Sequence, residues 1–234
     1  MEYKQLELNR ALLEAVKETD VERAEVLLQQ GADPLGIFDE KEYDNFVLHE
    51  MFIDVAWEEE LNEKRQELLL LFLAYGMDVS TTNTAPEIDD YLNPVWLMAH
   101  MNNEGGIRML KLLLDHGLDV VSAEILFNHI FLDMGLCVGC EIYDESWLEE
   151  WRYPMKMMML VASYPHILEA SDYIRKCVEV ERNDVSWLSS FRDWNRFVYE
   201  IDLSTCDRLP HGLRNATLHI RDTKTGDIVW SMYI

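Results

Sequence analysis

Positive charge is scarce in this chain relative to negative charge. Among its 234 residues, 20 are Lys or Arg against 44 Asp or Glu, a formal net charge of -24. Phosphate backbones and anionic lipid surfaces both repel such a polyanion, which argues against nucleic acid and membrane as partners. Cysteine is scarce as well. The 4 thiols, at 137, 140, 177 and 206, are too few to staple so long a chain and fit the reduced state of a cytoplasm. No apolar run approaches the roughly 18 residues of a membrane-spanning helix; the longest, Leu68 to Tyr75, has the length of a core helix. The opening Met1-Glu2-Tyr3-Lys4 lacks the basic and apolar regions of a secretory signal, so a cytoplasmic protein is expected. P-loop, G-x-G-x-x-G, G-x-S-x-G and H-E-x-x-H motifs are all missing, which removes the common sequence signs of nucleotide, acyl-transfer and zinc-protease chemistry.

What the chain does have is apolar content, at 49%, enough to bury a sizeable core in one large or two small domains. Its charge is unevenly spread. Residues 1–151 hold 33 acidic and 9 basic side chains, whereas residues 152–234 hold 11 of each. The whole acidic excess therefore lies in the first two-thirds, an asymmetry that solubility alone would not require.

A repeat is visible in the same region. Ala24–Asp33, Leu69–Asp78 and Leu110–Asp119 each run from a Leu-rich helix into Gly and then Asp; Met157–His166 is a weaker fourth copy. Gly31, Gly76 and Gly117 are 45 and 41 residues apart, and Tyr164 takes the equivalent place in the fourth copy. Glycine directly after a helix suits the left-handed residue of a helix stop, and Asp two places later can bond backbone in the turn. An amphipathic helix precedes each: Leu8–Lys17, Phe46–Ala56, Pro94–Met101 and Ala123–Met134. Helix pairs of this kind bury both faces only by stacking on neighbours.

The closing elements Val26–Asp33 and Leu112–Asp119, with openings at Phe46-Val47-Leu48-His49 and Asn93-Pro94-Val95-Trp96, resemble the ankyrin-repeat family in a divergent, bacterial-type form. The likeness covers about residues 5–165, with a period longer than the family's usual 33 or so residues because of inserted loops. It implies a mainly α solenoid of about four to five helix pairs, a non-catalytic role in protein binding, and a structural His49 bonding neighbouring backbone.

The insertions are acidic and carry or adjoin aromatics. Two form fingers between pairs: Pro34–Asn45, with Asp39, Glu40, Glu42, Tyr43 and Asp44, and Ser80–Asn93, with Glu87, Asp89, Asp90 and Tyr91. Two fall within a pair: Trp57–Asn62, with Trp57, Glu58, Glu59 and Glu60, and Gly135–Tyr153, with Glu141, Asp144, Glu145, Trp147, Glu149, Glu150 and Trp151. Aligned on the edges of a stack, these residues are the expected partner-binding surface, with aromatics as anchors in an acidic field.

Beyond residue 165 the repeat fades. Ile167–Val180 and Trp187–Tyr199 read as two capping helices. Ala216–Ile220 and Ile228–Ile234, joined by a turn at Asp222–Asp227, read as a β-hairpin that must pack on the helices. Residues 1–165 and 166–234 are thus expected as repeats and cap in one continuous domain.

Other chemistry is thinly supported. Cys137-Val138-Gly139-Cys140 has no second ligand pair for zinc and no βαβ setting for redox work, so buried thiols are expected. Met155 and Met157-Met158-Met159 fall on a closing helix and read as core rather than an adaptable groove. His116, in a last turn, reads as a cap. No catalytic residue, metal or cofactor is expected. A cationic protein is the partner that fits the charge, with an immunity-type inhibitor of a basic toxin or nuclease as the sharper alternative. A metal-dependent enzyme built on the carboxylate loops is the rival from another class.

Overall fold

A computed structural model of the chain describes residues 2–34, 59–77, 79, 103–133, 152–179, 186–204, 207–209, 212–214 and 217–233. These residues are mainly helical, with a small antiparallel sheet. Among the described residues the helices are α1 (Glu2–Lys17), α2 (Val21–Gln29), α3 (Glu59–Ala74), α4 (Glu104–Asp115), α5 (Val120–Asp133), α6 (Arg152–Ala162), α7 (Pro165–Ala170) and α8 (Asp172–Val178). The strands are β1 (Phe197–Asp202), β2 (Asp207–Leu209), β3 (Gly212–Arg214), β4 (Thr217–Asp222) and β5 (Ile228–Tyr233). The chain forms two compact units, Met1–Ser122 and Ala123–Ile234. No described helix is long and apolar enough to cross a membrane.

In the first unit, α2, α3 and α4 end identically. Gly31, Gly76 and Gly117 take φ of 95°, 84° and 92°. The next residue donates its N–H back five positions: Ala32 to Leu27 O at 3.0 Å, Met77 to Phe72 O at 3.1 Å, Leu118 to Leu113 O at 3.0 Å. The glycine itself donates three back, to Leu28, Leu73 and Leu114. This Schellman geometry satisfies carbonyls that a helix end would otherwise leave open. It also turns Ala32, Met77 and Leu118 inward, where all three are buried. The expected role of these glycines is therefore what the backbone shows. α1 stops in the same way, with Thr19 N bonding Val16 O, Asp20 N bonding Ala15 O, and Thr19 itself at φ 54°. A β-branched residue is strained there.

Local side chains complete the corners. Asp20 caps α2 by accepting from Arg23 N at 3.0 Å. Asp119, two residues past Gly117, accepts from Ser122 N at 2.8 Å and caps α5, as its spacing suggested. Asn9, buried in α1, accepts from Gln5 Nε2 and from Asp33 N, while Gln5 also donates to Gly31 O at 2.7 Å. The α1–α2 pair is thus fastened by side chains as well as by Leu12, Ala15, Val16, Ala24 and Leu28 in its core. His116 caps α4 through Nδ1, 2.7 Å from Leu112 O.

The fourth copy differs. Tyr164 has φ -91° and ψ 113°, an extended residue that leads into α7. Without glycine there is no left-handed stop; the tyrosine ring is buried instead, beneath Arg192 at 4.6 Å. Met155 and Met157-Met158-Met159 are core, as their helical spacing implied.

Several boundaries need correction. Glu59-Glu60-Leu61-Asn62 belong to α3 rather than to an inserted loop, because Glu, Leu and Lys through this stretch propagate a helix well. Arg152 and Tyr153 likewise open α6. The single helix expected over Ile167–Val180 is two, broken at Ser171. Its buried Oγ accepts from Ile174 N at 3.0 Å, capping the start of α8, and donates to Glu124 Oε1, while its backbone N–H bonds Ile167 O at the end of α7. The helix expected over Trp187–Tyr199 is instead two 3-10 turns, Ser186–Ser190 and Trp194–Arg196, running into β1. Leu188, Phe191, Trp194 and Phe197 are all buried, and their spacing of three is the period of a 3-10 turn rather than an α-helix.

The hairpin is β4–β5, with Ile220 opposite Trp230 and Gly226 at φ 80° in the turn. It is not alone. β1 pairs antiparallel with β4, Tyr199 opposite Ile220, giving the order β1-β4-β5; β2 and β3 pair separately. One face of the sheet buries Phe197, Leu218, Ile220 and Trp230. Phe191 stacks on Phe197 at 4.9 Å, with Trp187 against both. The Trp230 indole N–H donates to Val178 O at 3.0 Å, capping the end of α8 and fixing the sheet to the helices, as a marginal hairpin requires.

The repeated stop makes a signed prediction. Nothing lies within 4 Å of a Cβ added at Gly31, Gly76 or Gly117, so Gly→Ala costs only the left-handed conformation. Each should destabilise by about 1 kcal/mol in urea denaturation, while Thr19→Gly should stabilise by up to about 1 kcal/mol. Equal midpoints for all four variants would contradict the left-handed stops.

Candidate functional site: charge on the two units

Of the twenty residues expected to bind a partner, Glu59 and Glu60 are described. Their backbone opens α3. Asp39, Glu40, Glu42, Tyr43, Asp44, Trp57, Glu58, Glu87, Asp89, Asp90, Tyr91, Glu141, Asp144, Glu145, Trp147, Glu149, Glu150 and Trp151 lie outside the described residues. So do Phe46–Ala56, Pro94–Met101, Cys137 and Cys140. The four acidic insertions are therefore not brought together by anything described.

The described helices of the first unit nevertheless show how its charge is arranged. Lys17 pairs with Glu14 at 3.9 Å, Arg23 with Glu18 at 2.6 Å, and Lys111 with Asp115. These cations answer carboxylates within five residues of themselves. Glu22, Glu25, Glu63 and Glu67 remain on solvent-facing positions of α2 and α3. Exposed pairs of this kind contribute little to stability, so the excess acts mainly as a field around the helices.

The second unit arranges charge differently. The Arg196 guanidinium grips buried Asp222 through two parallel hydrogen bonds, Nε to Oδ1 at 2.7 Å and Nη2 to Oδ2. Asp222 also accepts from Lys224 N at 2.9 Å. Arg221 grips Glu200 in the same fork, at 2.8 and 2.7 Å, and reaches Gly226 O at 2.6 Å. These hydrogen bonds hold the Asp222 and Glu200 carboxyls below their usual range against the opposing effect of burial, and Asp202 is lowered by bonds from Ser204. The arginines are correspondingly more basic. Nothing in the linear sequence marks these pairs; they appear only when β1 is recognised as a strand.

The polar face of this sheet also brings a nucleophile beside a base. Ser231 Oγ lies 2.7 Å from His219 Nδ1, and Glu200 stands opposite His219 on β1. Both Glu200 oxygens accept from Arg221, which holds the carboxylate in place. The arrangement is a cross-strand ladder that fixes register. On α8, the half-buried Cys177 thiol sits beside Tyr173, whose hydroxyl donates to Asn128 Oδ1 at 3.0 Å. Burial first, then the neighbouring thiol, pushes Tyr173 up to about 12, and burial raises Cys177 as well. A raised thiol is a poor nucleophile. Among the described residues no group of three or more His, Cys, Asp or Glu is placed to hold a metal ion.

The lowered carboxyls make the sheet acid-sensitive. Groups with depressed folded-state values stabilise above their unfolded range, near pH 4, and lose that contribution as pH falls through the folded values. Urea midpoints followed by tryptophan fluorescence should fall between about pH 5 and pH 3. Asp222→Asn should lower the midpoint at pH 7 and flatten this dependence; an unchanged slope would remove Asp222 as its source. No family model, curated protein or solved structure matches this chain.

Proposed function

We propose that this chain is a non-catalytic protein-binding module, an ankyrin-like repeat stack working in the cytoplasm, whose acidic surface takes a cationic protein. One observation carries the reading: the entire net charge of -24 belongs to residues 1–151, while residues 152–234 balance. A solubility requirement is met by charge anywhere, whereas a binding surface needs it in one place. The repeated left-handed helix stops support the repeat architecture, because a rigid stack presents its loops at fixed intervals without needing chemistry of its own.

The same asymmetry favours a sharper form, an immunity-type inhibitor. An enzyme that handles nucleic acid presents a basic cleft, and a folded polyanion can occupy it in place of phosphate. Contacts of that kind release counterions, so affinity should fall steeply with salt.

Reversing Glu58, Glu59, Glu60, Asp89 and Asp90 to Lys should abolish capture of a partner from the native cell extract at low salt. Partners retained by the wild type at about 50 mM salt should be released by several hundred millimolar. A partner that stays bound after charge reversal, or binds equally at both salt levels, would sink the reading.

A further inference from the structure

The three-stranded sheet, ordered β1-β4-β5, has two edge strands, and they differ. β1 carries Glu200 and Asp202, and charge on an edge strand discourages a further strand from adding to it. β5 has no such protection. Ile228-Val229-Trp230-Ser231-Met232-Tyr233 contains no charged residue, proline or glycine, and is apolar at every position but Ser231. Its β-branched and aromatic residues are those favoured inside a sheet. A register shift between Ile220 and Arg221 touches the start of the strand and leaves Trp230 to Tyr233 regularly paired with Ile220 to Thr217. The Ser231 hydroxyl lies 2.7 Å from His219 Nδ1 on β4, a side-chain contact that helps hold this register. Charge balances in this part of the chain, since residues 152–234 hold 11 acidic and 11 basic side chains. Two copies meeting through this sheet therefore face no net repulsion from it.

We propose that β5 pairs antiparallel with β5 of a second copy of this chain, joining two sheets into one about a two-fold axis. Such an axis matches residues symmetrically about a centre. Centred on Ser231, it sets Trp230 opposite Met232, Val229 opposite Tyr233, and Ser231 opposite itself. Apolar then meets apolar and hydroxyl meets hydroxyl, combinations that stabilise an antiparallel pair. An unrelated strand would have to bring that pattern; this one supplies it to itself. Pairing of like edges is isologous and closes, and the charged β1 edge stops further addition, so the product is a dimer rather than a fibre. The inference is independent of the acidic-binder reading, and salt moves the two in opposite directions. Residues 1–151 of each copy carry the net charge of -24, so screening it tightens the dimer while it releases a cationic partner.

The test is sedimentation velocity of the full-length protein from about 1 to 100 µM, at about 50 and about 500 mM salt. A dimer should grow in with concentration and form more readily at the higher salt. Val229→Lys places a like charge from each copy at the joint and should raise the concentration at half-dimerisation about tenfold or more. Val198→Lys, on the other edge strand, should leave it unchanged; circular dichroism verifies the fold of both. Ser231→Cys tests the register without adding charge. Opposed Cα atoms in an antiparallel ladder lie about 4.5–5.5 Å apart, within reach of a disulfide. Mild oxidation should therefore link two copies through residue 231, identified by peptide mass mapping, and this link decides the matter if Val229→Lys does not fold. A monomer under every condition, a dimer weakened by salt or indifferent to Val229→Lys, equal loss with Val198→Lys, or no link at residue 231 overturns the inference.

Discussion

Each helix of the first unit described to its end stops by placing one residue in the left-handed region. The rest of that unit follows from this constraint. With the turn made, the following N–H reaches back to a carbonyl five positions earlier, and the residue carrying it points into the core. Ala32, Met77 and Leu118 are buried because of where the glycine before them puts the chain. Asp119 can cap α5 for the same reason. Where glycine is missing, at Tyr164, the chain stays extended and a short helix starts at once. The stop is local, and so it can repeat whatever the length of chain between one copy and the next.

Electrostatics divides the molecule along different lines. In the sheet, opposite charges meet in forked arginine–carboxylate pairs that cross between strands or tie a turn to its neighbour. There charge is a structural fastener. On α2 and α3 carboxylates outnumber cations and face solvent, where they set a potential rather than a geometry. A single chain thus uses ionised groups for two purposes, and the proportions of Lys, Arg, Asp and Glu along the sequence already separate them.

The helix stops were legible in the sequence because their cause is local: a Leu-rich run, a glycine and a small set of backbone bonds. So was the β4–β5 hairpin, whose alternation and Thr225-Gly226 turn stand close together. The stretch from Trp187 to Tyr199 is ambiguous in sequence, because bulky residues three or four apart suit an α-helix and a 3-10 turn alike. The break at Ser171 did carry a signal, a Ser-Asp pair typical of helix starts, overridden by the apolar spacing around it. Of the expected binding residues, Glu59 and Glu60 fall in a helix, because a run of glutamates propagates one as readily as it fills a loop. The forked ion pairs could not be anticipated, since they depend on strand register between segments some twenty residues apart or more.

The indole bond from Trp230 to Val178 O joins residues 52 apart in sequence, whereas the left-handed stops close within six. Loop-closure entropy grows with that separation, so the two devices belong to different stages of folding. The stops set themselves as soon as their own helices form. The end of α8 receives its cap only once the last strand has been placed. That single hydrogen bond therefore marks completion, and a chain shortened before Trp230 would keep its repeated turns while its final helix stayed open.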